Sequence, residues 1–354
     1  MGFSLFKKNS PGGPTRPSAP VATDAAPPPS SSGSSESSIS TEPGAERPEF
    51  LDDFPEPIAG IGNFDLPPET VFGLEFAESE LLEAVAAAVE KGDYELPHIP
   101  STHLSLLDLT SDPECDVSKL DRQISADVAL TASLLRLANS VMFGGARRVE
   151  TVRGAVLRIG VRGLRSALLS LSVKSVIFKS KDLEPIAEEI WRQSVSVAVA
   201  SRALAVPLCL DPERFYVLGL LHDIGKVPLL EILRKHAPKG FAFRRPFVGQ
   251  VFDRWHEEVG RALTECWGLP EEIVAVAGCH HDFAANKKHA QSAALVNLAH
   301  RQDLFLSTGR ADEYRSLADD EAMDAVGIAA PMRVAILDAV RQVYVQQQRE
   351  GSIT

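Results

Sequence analysis

The sequence predicts an all-α protein, a multi-helix domain preceded by a disordered N-terminal tail. Apolar residues recur at three- and four-residue steps through most of the chain from about Ser79 onward, the spacing of one buried helix face. Period-two segments bounded by hairpin turns do not appear, so a sheet has little to be built from. Ser and Pro crowd the first fifty residues of a chain that is 44% hydrophobic, which leaves the remainder richer in apolar side chains than that average.

From about Ser10 to Glu49 almost no large apolar residue is present to offset the entropy of ordering, and this stretch reads as disordered. Phe50, Leu51 and Phe54 then stand among Glu49, Asp52, Asp53 and Glu56, followed by Ile58, Ile61, Phe64 and Leu66. That pattern fits a linker packed on the domain surface or a short docking peptide for a partner protein. Tail and linker together occupy residues 1–75, and a preceding helix occupies 76–94. Within it Leu81, Leu82, Val85, Ala88 and Val89 face inward, and Gly92 stops it.

Pro97 and Pro100 come before a helix capped by Ser101 or Thr102, with Leu104 and Leu107 inward. Ser118 stands before two short helices broken around Ser125 to Asp127. Asp127 caps the second, whose Leu130, Leu134, Leu135 and Ala138 form a buried stripe. Between Val152 and Phe178 the inward positions are Val156, Ile159, Leu164, Leu168, Leu171 and Val176, and Gly160 with Gly163 marks a turn between two helices. Further helices run from Glu184 to Leu204, from Pro212 through LHDIGK, and over Val248 to Trp267, Pro270 to His281, Ala290 to Leu306 and Pro331 to Gln347. The last, with Val334, Ile336, Leu337, Val340 and Val343, either caps the domain or forms a homodimer seam.

With 36 basic and 48 acidic side chains the formal net charge is −12, which argues against a nucleic-acid partner, because such binding draws on Lys and Arg neutralising phosphates. No run of about eighteen uninterrupted apolar residues is present, so no membrane span is expected. The start MGFSLFKKNS puts its lysines after a very short apolar stretch, the reverse of a secretory signal, and Phe6 stands where a myristoylation pattern needs Ser or Thr. These features predict a cytoplasmic protein. Cys115, Cys209, Cys266 and Cys279 lack the close pairing of a zinc site and the density of a disulfide scaffold, and read as reduced residues.

Nine histidines are spread over the chain, and the informative set is His222, His256, His280 and His281, joined by Asp223. In FYVLGLLHDIGK, Leu218 and Gly219 lie four residues before His222 and Asp223, so the dyad projects beside a face with room for a ligand. Lys226, four after His222, either places an ammonium beside whatever the dyad binds or pairs with Asp223. His256 and His280 follow apolar residues at helical steps and point inward. Imidazoles and a carboxylate converging from three helices suit iron, manganese or zinc, and water on such an ion is acidified for attack on a phosphoester. Against this stands a hydrogen-bonded core arrangement with no metal, the ordinary state of an inward histidine and the reading adopted for His98, His103, His236 and His289. Lys226, Arg244, Arg245, Lys287 and Lys288 are cationic candidates for a nucleotide phosphate, the arginine and lysine pairs reading better as solvated surface.

LLHDIGK, HEEVG and CHHD, in this order, resemble the HD superfamily of metal-dependent phosphohydrolases. The upstream segments LPHIPS, ISADVALTASLLRLANSVMFG and VRGAVLRIGVRGLRSALL resemble those that open its regulatory branch, the HD-related output domain (HDOD). The resemblance covers about Glu95 to Leu306, leaving 307–354 as a C-terminal helical extension. It implies a compact all-α domain of bacterial signalling, coupled to sensor or second-messenger systems and usually without hydrolase activity. The position expected for an earlier histidine ligand holds Gln193, and the closing aspartate position holds His300. The DGxGYP continuation of the cyclic-di-GMP phosphodiesterases is replaced by HHDFAANKKH. The resemblance therefore favours a non-catalytic output or adaptor module acting on bacterial signalling proteins, without a metal or with a metal or nucleotide as regulatory ligand. The alternative is a phosphohydrolase or phosphodiesterase in which His222, Asp223, His256, His280, His281 and His300 hold the metal and Lys226 stabilises a phosphate oxygen.

Overall fold

A computed structural model describes residues 76–110, 112, 115–140, 143, 147–178 and 183–350. The predicted tail and the linker or docking segment, residues 1–75, lie outside the described residues. Among the described residues every regular element is helical: α1 (Phe76–Lys91), α2 (Ser101–Leu109), α3 (Val117–Ser125), α4 (Val128–Ala138), α5 (Val152–Ile177), α6 (Glu184–Ala205), α7 (Pro212–Leu221), α8 (Lys226–His236), α9 (Arg245–Cys266), α10 (Glu271–Cys279), α11 (Ala290–Thr308), α12 (Ala311–Ser316), α13 (Glu321–Val326) and α14 (Ala330–Glu350). None of these helices is long and apolar enough to cross a membrane.

The punctuation residues act largely as the sequence predicts. Gly92, at φ +64°, follows the end of α1, and the Asp127 carboxylate accepts the Leu130 N–H at 2.9 Å to start α4. Gly160, at φ 72° and ψ 169°, kinks α5 where a turn is expected, a conformation that is inexpensive only without a Cβ. Three expectations are corrected. Pro100, not Ser101 or Thr102, occupies the N-cap of α2 and provides no side-chain cap. Its inward stripe is His103, Leu106, Leu107 and Thr110, the i, i+3, i+4, i+7 set; Leu104 falls outside that set and is 43% exposed. Ser118, expected before α3, lies inside it: the helix starts at Val117, and Asp116 caps it by accepting the Ser118 N–H at 2.9 Å.

A larger correction falls at LHDIGK. The helix expected to run through it ends at Leu221, residues 222–225 form a turn, and a separate α8 starts at Lys226. Gly225 explains the break. A Cβ there would stand 2.0 Å from the His256 carbonyl oxygen and 2.5 Å from the Gly260 nitrogen, so α9 approaches the turn backbone to backbone. Gly225→Ala is expected to cost about 2–3 kcal/mol in urea denaturation, the penalty of overpacking a rigid contact; an unchanged midpoint would contradict this packing. The short helices α12 and α13 were also not anticipated.

Two apolar clusters hold these elements. One draws Leu81 and Val85 of α1, Leu164 and Leu168 of α5, Leu220 of α7, Leu229 of α8 and Phe252 of α9 together. The other joins Val197 of α6, Phe215 and Leu218 of α7, Leu298 of α11, Tyr314 of α12 and Leu337 of α14. α1 is further tied down by an ion pair between Glu78 and Arg244. In α14, Ile336, Leu337 and Val340 are buried while Val334 is 50% exposed, and the Tyr314 hydroxyl donates to the Leu337 carbonyl at 2.5 Å. The C-terminal helix thus covers the domain. α6 and α7 contribute to both clusters, and the predicted site residues lie along that seam.

Candidate metal centre

Six elements deliver the side chains: α6 brings Gln193, the turn after α7 brings His222 and Asp223, α8 opens with Lys226, α9 brings His256, the end of α10 brings His280 and His281, and α11 brings His300. His222, Asp223, Lys226, His256, His280, His300 and Gln193 are all buried, each at most 2% exposed, whereas His281 is exposed. Every residue singled out from the sequence as a ligand or as a departure from the ligand pattern converges here. Donor atoms of His222, Asp223, His280 and His300 lie within 4.8 Å of one another, as do those of Asp223, His256, His280 and His281.

Backbone carbonyls orient three of the imidazoles. Nδ1 of His222 stands 2.7 Å from the Gly219 oxygen, Nδ1 of His256 2.7 Å from that of Phe252, and Nδ1 of His280 3.2 Å from that of Val276. A carbonyl only accepts, so each Nδ1 carries the hydrogen, and in the neutral ring Nε2 is left with a lone pair. The Nε2 atoms of His256 and His280 each lie 3.4 Å from Asp223 Oδ1. Nε2 of His280 makes no hydrogen bond. Three buried acceptors thus face one another, an arrangement that a cation relieves. Two donors about 2.1 Å from a tetrahedral ion stand about 3.4 Å apart, so the observed spacing fits a first-row metal such as zinc, iron or manganese. His281 lies at the mouth, its ring centroid 5.0 Å from that of His256 and 4.3 Å from that of His280.

The other carboxylate oxygen is engaged differently. Lys226 Nζ is 2.6 Å from Asp223 Oδ2 and donates to Gln193 Oε1 at 3.0 Å. His222 Nε2 is 3.1 Å from the same Oδ2 and 2.8 Å from His300 Nδ1. Burial acts to raise the Asp223 carboxyl, but the His222 ring and the Lys226 ammonium outweigh it and hold the group well below the usual carboxylate range. Asp223 is therefore a carboxylate divided between a fixed ammonium on Oδ2 and a pair of imidazole lone pairs on Oδ1.

Burial pushes the His280 imidazole well below its ordinary value of 6.5, as do the neighbouring His281 and His222 rings, against the pull of Asp223. Such a group takes its proton more readily in the unfolded chain. Its contribution to stability is full above the unfolded value and declines as pH falls below it. In chelator-treated buffer, moving from pH 7.5 to pH 5.5 is expected to lower the unfolding free energy by about 1 kcal/mol, with the loss reduced in His280→Gln. Equal or greater stability of the unaltered protein at pH 5.5 would contradict this burial.

Sequence reasoning missed Glu257, whose Oε1 accepts the His281 N–H at 2.9 Å and lies 3.5 Å from His280 Nδ1. Its place directly after His256 was the available signal. The three orienting carbonyls had none. The surplus cations go elsewhere: Arg244 pairs with Glu78, Arg245 with Glu189 and Lys288 with Glu271, each an ion pair outside the cluster.

The HDOD domain model matches residues 96–283, more than half of the chain. An uncharacterized protein of Treponema pallidum (strain Nichols) is 29% identical over 214 residues, which are 56% of this chain and 40% of that protein. The chain therefore spans well under half the length of that relative. Among solved structures, an HDOD domain protein of unknown function from Geobacter sulfurreducens is 24% identical, with a TM-score of 0.58 over 75% of this chain and 97% of that one. A protein from Shewanella amazonensis SB2B, named as a candidate metal-dependent phosphohydrolase, is 19% identical, with a TM-score of 0.57 over 76% of this chain and 100% of that one. At these identities the two structures share the fold.

Proposed function

Because this chain belongs to the HDOD domain family, we propose that it serves as a non-catalytic output or adaptor module of bacterial signal transduction, binding another signalling protein and keeping the histidine cluster as a regulatory cation site. One observation carries the loss of hydrolysis. The Lys226 ammonium, held 2.6 Å from Asp223 Oδ2 and 3.0 Å from Gln193 Oε1, fills one side of the only buried carboxylate in the cluster, with a glutamine where an imidazole ligand is expected. Gln193 is a poor transition-metal ligand beside imidazole, and the neighbouring ammonium repels a second cation.

The Oδ1 side keeps Asp223, His256 and His280, with exposed His281 at the entrance, as the donors for one ion. Asp223, His256, His280 and His281 would hold a divalent metal there, which would supply Lewis acidity. The backbone carbonyls of Phe252 and Val276 orient His256 and His280, burial keeps His280 neutral, and Lys226 restrains the carboxylate. Fold alone does not confer turnover. The donor spacing is the specific observation that favours the alternative, a phosphohydrolase or phosphodiesterase using His222, Asp223, His256, His280, His281 and His300, with Lys226 against a phosphate oxygen.

Elemental analysis and a phosphodiester assay distinguish the two. The protein and its Asp223→Asn variant, purified anaerobically from iron- and manganese-supplemented medium, are compared for bound metal and for release of nitrophenol from bis-nitrophenyl phosphate. The proposal expects no more than one ion per chain, reduced by Asp223→Asn, and no turnover. Metal-dependent turnover abolished by Asp223→Asn overturns it in favour of the hydrolase.

A further inference from the structure

The charge of this acidic chain is unevenly placed. Between Arg136 and Arg165 the sequence has seven arginines, no lysine and one acidic residue, Glu150, so that stretch carries +6 and the rest of the chain −18. The fold gathers part of this set around the start of α5. Arg158 donates to the carbonyls of Ala138 at 3.2 Å and of Arg147, and Asn139 bonds the Val149 backbone through both amide atoms, joining the end of α4 to the strap before α5. Arg162 pairs with Asp211 at 3.3 Å, and Arg165 donates to the Leu107 carbonyl. Arg147, Arg148 and Arg153 are exposed and make no ion pair among the described residues. One turn beyond Arg153 on the same face, Leu157 is 73% exposed.

We propose that this arginine face is the docking surface for the acidic, apolar-bearing segment 49–66 of the same chain. Guanidiniums outside ion pairs beside an exposed leucine call for carboxylates interleaved with apolar side chains, and EFLDDFPE with the residues after it supplies that chemistry. The segment carries Glu49, Asp52, Asp53, Glu56 and Asp65, has no basic residue, and places Phe50, Leu51 and Phe54 between its charges. Chain length permits the contact. For the charged stretch Glu49–Glu56, which makes the first contact, the 19 residues from Pro57 to Glu75 reach about 60 Å when extended, against a diameter of about 50 Å for a domain of this size. Nucleic acid fits the face less well, because Phe143, the nearest described aromatic in sequence, is half-buried with the Arg202 guanidinium over its ring, and the surplus negative charge of the molecule opposes a polyanion.

Hydrogen–deuterium exchange on the full chain tests this through charge exchange. Arg147→Glu, Arg148→Glu and Arg153→Glu together, or Asp52→Lys, Asp53→Lys and Glu56→Lys together, are each expected to speed exchange of the amides in 49–66 about fivefold, as weak surface pairs are lost. Combining all six changes restores the slow exchange. Salt near 1 M, where the Debye length is about 3 Å, reproduces the loss in the unaltered protein. Thermal melting of the arginine variant should be unchanged, since these side chains take no part in the described ion pairs. The proposal is overturned if the single-sided variants leave exchange unaltered, or if the combined variant exchanges as fast as they do. Protection of residues 147–162 by a short single-stranded RNA, lost in the arginine variant, would overturn it by reassigning the face to nucleic acid.

Discussion

Asp223→Ala is expected to destabilise the domain by about 3–5 kcal/mol, the cost of leaving a buried cation without its counter-charge. Lys226 is 1% exposed, and its ammonium is held 2.6 Å from the Asp223 carboxylate and donates to the neutral Gln193 carbonyl at 3.0 Å. Removal of Asp223 also strips the shared partner from His222, His256 and His280. Urea denaturation monitored by circular dichroism measures the loss. If the loss comes from an orphaned ammonium, Asp223→Ala combined with Lys226→Met should recover more than half of it, because apolar replacement of a whole buried pair is often neutral. A double variant as unstable as the single would place the loss in the imidazole contacts.

Asp303→Ala is expected to cost about as much, roughly 3–5 kcal/mol, for the same reason at a different place. Arg192 of α6 and Asp303 of α11 are 3.4 Å apart, with side chains 9% and 0% exposed. Glu189 lies one turn from Arg192 but is committed to Arg245. The pair joins the helices that carry Gln193 and His300, so its loss should loosen the cluster as well as the fold. A denaturation midpoint within experimental error of the unaltered protein would show that solvent reaches Arg192 easily. Because Asp303 lies outside the cluster, the companion Arg192→Met, Asp303→Leu variant separates stability from metal content: stability recovers while the histidine donors remain.

The all-α class and most helix positions are legible because the buried stripes of α4 and α9 are periodic and the apolar stretches of α6 and α11, buried on nearly all sides, are too long for strands. Where polar residues interrupt a stripe, as His103 and Thr110 do in α2, the phase was misread. The turn at 222–225 was hidden because Leu220, Leu221 and Ile224 continue an apolar helical pattern; the cause of the break is the approach of α9 to Gly225, a tertiary contact. The cluster was legible in its membership, since histidine and aspartate on inward faces are conspicuous. Its internal division was not. Which oxygen of Asp223 meets Lys226 and which meets the two Nε2 atoms depends on the crossing of α8, α9 and α10, and the orienting carbonyls of Gly219, Phe252 and Val276 carry no side-chain signature.

The membership of α6 and α7 in both apolar clusters sets the cooperativity of the molecule. A fragment cut after the family-matched region would end near residue 283, without α11 to α14, and would leave Val197, Leu204, Phe215 and Leu218 facing water. The smallest autonomous folding unit is therefore longer than the segment by which the family is recognised. Melting one half uncovers the shared helices of the other, so the described helices should come apart in a single transition, and the C-terminal extension behaves as part of the domain rather than an appendage.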